Sequence, residues 1–123
     1  MMLDANALLL DHFDRPRGGG AFPAGAPGVR RGEAGSERHG AMVRIELKTG
    51  ADGRIEDSRF SAWGCAGTLA CASLVTEWVR GRTLESLRTA EVRKLAEPLA
   101  LPPERLYAPL MVEDALRQAA RED

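Results

Sequence analysis

Four side chains in this chain of 123 residues combine a lone pair with a titratable proton near neutrality: Cys65, Cys71, His12 and His39. Such groups ligate soft or borderline metals, and a thiolate also attacks sulfur. Both cysteines fall in FSAWGCAGTLACASLVTEW, residues 60–78. On an α-helix, residues six apart are separated by about 240° around the axis. Cys65 and Cys71 therefore cannot chelate one ion from a single helix. Cys71 is in register with Leu74, Val75 and Trp78, the i, i+3, i+4, i+7 stripe of a buried face. There it reads as a small hydrophobe. Cys65 follows Gly64, where a strand signal gives way to a helical one. The first N–H groups of a helix lack intrahelical partners, and with the helix dipole they favour a thiolate. Gly64 and Gly67 also allow close approach of backbone or ligand. Cys65 is the candidate working thiol, with a purely structural cysteine as the alternative.

The elements that must position it follow from patterning. Residues 4–14 read as a short amphipathic helix, closed by Pro16 and the glycines at 18–20. In AMVRIELKTG, Val43, Ile45 and Leu47 alternate with Met42, Arg44, Glu46 and Lys48, a half-buried strand. GADG supplies a turn, and RIEDSRFSAW forms a partner strand anchored by Ile55 and Phe60. Residues 29–36 add a third, weaker strand. Helices are expected at about 65–80, 83–89, 91–97 and 104–122, the last with a break near Pro109. Strands followed by helices predict an α+β fold: a small three-stranded antiparallel sheet with helices packed on one face. One domain, residues 1–123, accounts for the length.

Composition narrows the function. Apolar residues make up 44% and charged residues 28%, with a net charge of −1. The charges are interspersed, so no nucleic-acid or membrane attraction is expected. The opening MMLDANALLLDHF has no basic lead and only a three-leucine run. It predicts neither a secretory signal nor a membrane span, and hence reduced cysteines in a cytoplasmic protein. There is no GxSxG elbow, no phosphate-cradling glycine motif and no HExxH, and a non-enzymatic role is expected.

Three blocks, in order, carry a resemblance: DHFDRPRGGG, then FSAWGCAG with SLVTEWVRGRTLESL, then LPPERLYAPLMVEDALRQA. They resemble the iron–sulfur cluster assembly scaffold family of the IscU and NifU N-terminal type, over nearly the whole chain. The resemblance implies the same three-stranded fold, a cysteine desulfurase and an Hsp70-type chaperone as partners, and a cluster site built on three cysteines, an aspartate and a histidine. Of those positions only Cys65 keeps its residue. The family's Cys-Gly-Asp is here His39-Gly40-Ala41, and its His-Cys pair is here Tyr107-Ala108. His39 stands as the replacement ligand; otherwise it is a solvated loop residue. The chaperone-binding Leu-Pro-Pro-Val-Lys is here Leu101-Pro102-Pro103-Glu104-Arg105, which keeps the turn and changes an apolar contact to a charge.

The ligand count sets the alternatives. A cluster ordinarily takes four ligands, mostly thiolates. With Cys71 in a core stripe and His12 packing or capping in the N-terminal helix, Cys65 and His39 remain as cofactor- or metal-binding residues. Two protomers would pool two of each, so a homo-oligomer is one route to an iron–sulfur cluster. A single Zn or Fe ion is easier to satisfy, with Cys65, His39, a carboxylate such as Glu113 or Asp114, and water. The third outcome is no cofactor. The expected function is thus an IscU-like protein of iron–sulfur cluster assembly with a degenerate site. Its alternatives are an interaction module that binds a desulfurase or chaperone without metal, and a persulfide carrier using Cys65 alone.

Overall fold

A computed structural model describes residues 7–36, 38 and 40–121. Its elements are α1 (Ala7–Asp14), β1 (Val29–Ser36), β2 (Ala41–Thr49), β3 (Ile55–Trp63), α2 (Ala66–Trp78), α3 (Leu84–Leu87), α4 (Val92–Leu95) and α5 (Tyr107–Ala120). Short 3₁₀ turns at Glu97–Leu99 and Pro103–Arg105 lead from α4 into α5. The strands form one antiparallel sheet in the order β1-β2-β3, as the patterning predicts. The expected N-terminal helix is present over its described part.

β2 is the central strand, and its alternation places Val43, Ile45 and Leu47 at zero exposure against the helices. Ile45 pairs with Gly32 on one side and Phe60 on the other. α2 and α5 cover this face with Ala70, Cys71, Val75, Val112, Ala115, Leu116 and Ala119. Burying such side chains supplies about 25 cal/mol per Å² of apolar surface removed from water. α5 runs unbroken through Pro109, contrary to the expected break. Pro109 falls in the first turn, where a missing N–H costs the helix no hydrogen bond.

The opposite face differs from its polar pattern at one residue. Glu46 is only 1% exposed. Its carboxylate accepts the Phe22 N–H at 2.8 Å and is paired with the Arg31 guanidinium at 2.6 Å. The segment from Gly18 to Gly20 bonds along β3, through Phe60 N–H to Gly18 and Gly20 N–H to Phe60. The glycine-rich loop thereby covers a strip of the sheet that alternation alone assigns to water.

Candidate functional site

Cys65 occupies the N-cap of α2, with extended backbone at φ −77° and ψ 167°. The strand reaches it through Gly64, whose φ of +139° lies where L side chains are strained. A Cβ at Gly64 would also stand 2.9 Å from the Ala41 side chain. The turn thus needs glycine twice over, and it leaves the Cys65 thiol half-buried at the helix entrance.

Three elements converge on this sulfur. Tyr107, the first residue of α5, donates its hydroxyl hydrogen to Cys65 Sγ at 3.3 Å. The Thr68 hydroxyl lies 3.5 Å from Sγ, one turn into α2. Arg105, on the 3₁₀ turn before α5, interacts electrostatically with Cys65 and also meets Tyr107. Burial pushes the thiol up, but hydrogen bonds from Thr68 and Tyr107, aided by the Thr68 and Gly67 backbone, outweigh it and hold the thiol below its usual range. The anionic form is therefore favoured, as the N-terminal position predicts. Leu101 lies over Gly67, where an added Cβ would come within 2.9 Å of it, so the Leu-Pro-Pro turn backs the same corner.

The other groups weighed as ligands stand as follows. His39 lies outside the described residues. Cys71 is fully buried in the core, and desolvation pushes its thiol up to about 12, as the helical stripe predicts. His12 is buried against α2 with Nδ1 2.7 Å from Ser73 Oγ, a packing role rather than a ligand. The two carboxylates have settings of their own. Glu113 accepts the Val92 N–H at the start of α4 at 3.0 Å and faces Arg117 at 3.7 Å, so it serves that junction. Asp114, the other carboxylate weighed, is exposed on α5. Among the described residues no group of three His, Cys, Asp or Glu is placed to hold a metal ion.

Residue patterning alone missed Tyr107, Thr68 and Arg105. The family resemblance pointed to the positions of Tyr107 and Arg105, but not to their contacts with the thiol. Ala108, beside it, is wholly buried and brings no donor atom to the site.

The NifU-like N-terminal domain family matches residues 5–122. The chain belongs to this family. Among its relatives, an iron–sulfur cluster assembly scaffold protein IscU from Azotobacter vinelandii is 39% identical over 93% of this chain and 89% of its own length. The IscU scaffold of Escherichia coli K12 is 35% identical, over 90% and 87% respectively. A crystal structure of a nitrogen-fixing NifU-like protein (N-terminal) from Brucella abortus superposes with a TM-score of 0.65 at 22% identity. That match covers 97% of this chain and 94% of the other. This NifU-like domain thus has the expected fold, and no helix among its described residues is long and apolar enough to cross a membrane.

Proposed function

We propose that this chain works in iron–sulfur cluster assembly as a single-domain, cytoplasmic IscU-type protein with a degenerate site that keeps Cys65 of the family's ligands, His39 being the candidate substitute. The observation that carries the reading is the placement of Cys65, a half-buried thiol at the start of α2 with its anionic form favoured. The other cysteine is sealed in the core. The relatives named iron–sulfur cluster assembly scaffolds supply the context of the reading.

The cluster is cargo here rather than a resident cofactor. One described thiolate falls well short of the four ligands a cluster ordinarily takes. The thiol therefore carries either sulfur delivered to it or part of a cluster completed by ligands from outside this arrangement. A cysteine desulfurase is the partner that fits this chemistry, and the role is that of a carrier rather than a catalyst. The turn at Leu101-Pro102-Pro103 is half-buried at Leu101 and exposed at both prolines, which leaves it open to a chaperone.

The test is anaerobic incubation with iron, free cysteine and a cysteine desulfurase, comparing the native chain with Cys65→Ser. Sulfur or cluster absorbance acquired by the native chain and lost in the variant is expected. Identical behaviour of the two, with neither sulfur nor iron taken up, would overturn the proposal and leave a partner-binding module.

A further inference from the structure

Taking Cys65 as the working thiol, we infer that Tyr107 decides its cargo: it positions Sγ to accept one sulfur atom and disfavours a metal ion there. The groups around Sγ share a property. The Tyr107 hydroxyl donates to it at 3.3 Å, the Thr68 hydroxyl stands at 3.5 Å, and Cys65 itself sits at the positive N-terminal end of α2. Arg105 adds a positive charge from the turn before α5.

Proton donors and positive charge stabilise an anionic sulfur. A divalent cation meets the opposite field, facing the positive end of a 13-residue helix and a guanidinium. It also finds no described group of three ligating side chains. The described residues around Cys65 do not make up a metal centre. Tyr107 is the pivot because it presents its proton, not a lone pair, to the sulfur. It is 40% exposed, so its position is not explained as core packing.

The reaction that fits is transfer from a hydropersulfide, R–S–SH. The Cys65 thiolate attacks the outer sulfur, a Cys65 S–S bond forms, and the donor S–S bond breaks. The donor leaves as R–S⁻, and the proton stays on the transferred sulfur. The sulfane sulfur keeps its oxidation state, so no oxidant or reductant is consumed. Tyr107 acts through Cys65 as a positioning residue, holding the attacking sulfur at the mouth of the turn.

The test treats the full chain anaerobically with glutathione persulfide and, separately, with Co²⁺. The native chain is expected to gain one sulfur atom on Cys65 by intact mass and to show no cobalt–thiolate charge-transfer absorbance. Tyr107→Phe keeps the ring and the circular dichroism spectrum but loads sulfur several-fold more slowly. Tyr107→His replaces the donor with an imidazole lone pair and is expected to gain a cobalt–thiolate band that Cys65→Ser abolishes. A strong band in the native chain, unchanged in Tyr107→Phe, would overturn the inference, as would native loading rates in Tyr107→Phe. If glutathione persulfide loads the native chain and a desulfurase does not, the assembly role falls while the Tyr107 inference stands.

Discussion

His12 Nδ1 lies 2.7 Å from Ser73 Oγ, and this contact fastens α1 to the middle of α2. Ser73 Oγ already accepts the Arg17 backbone N–H at 2.8 Å. Its own hydrogen is then free to be donated to a neutral Nδ1, which leaves Nε2–H toward Glu77 at 4.0 Å. One serine thus satisfies two groups of the N-terminal segment. Ser73→Ala leaves both unpaired, and an unsatisfied buried polar group costs about 1–3 kcal/mol. The expected result is a lower urea midpoint, with proteolysis beginning in the first 20 residues.

The burial of His12 also makes stability depend on pH. Burial, reinforced by the Arg17 charge, holds His12 below its ordinary 6.5, against the weaker pull of Glu77 and Asp11. The unfolded chain therefore binds more protons than the folded one in that range. Stability is fully present above the unfolded value and is lost as pH falls through it toward the depressed folded value. Urea midpoints should rise with pH across 6.5, and His12→Asn should flatten that rise. A midpoint that falls with pH there would contradict the assignment.

Gly32 on β1 faces the backbone of α5. An added Cβ would overlap the carbonyl oxygen of Ala115 and lie 2.6 Å from the Ala119 nitrogen. Neither is the end of a flexible side chain, so the helix must move. Overpacking of this kind costs about 1–3 kcal/mol or more. Gly32→Ala is expected to lower the melting temperature clearly, whereas Gly19→Ala, with open space around it, is expected to change it little.

Arg31 and Glu46 form an unequal pair. Arg31 is half exposed, while Glu46 is 1% exposed. Removing the arginine leaves a buried carboxylate short of its cation; removing the acid leaves a guanidinium that water can solvate. Arg31→Ala should therefore destabilise more than Glu46→Gln, which keeps an acceptor for the Phe22 N–H. Equal urea midpoints for the two variants would refute the argument.

Alkylation separates the two cysteines. In the native chain iodoacetamide should label Cys65 alone, with Cys71 following only under denaturant, because its thiol is buried and pushed up to about 12. Intact mass before and after denaturation reads this directly.

Local pattern was enough for the α+β architecture, the three strands, the core stripe through Cys71 and Val75, and the placement of Cys65 at a helix entrance. These depend on periodicity and on glycine at a strand-to-helix turn, both carried by neighbouring residues. Tertiary structure alone decided the rest. The hydroxyl of Tyr107 meets Cys65 across 42 residues of chain, and Glu46 is buried by a loop more than 20 residues away. Glu113 is committed to α4 because α4 packs against α5, which no spacing within α5 reveals. Periodicity reports which face of an element is apolar; what covers the other face, and which donors surround a thiol, depend on contacts between segments distant in sequence.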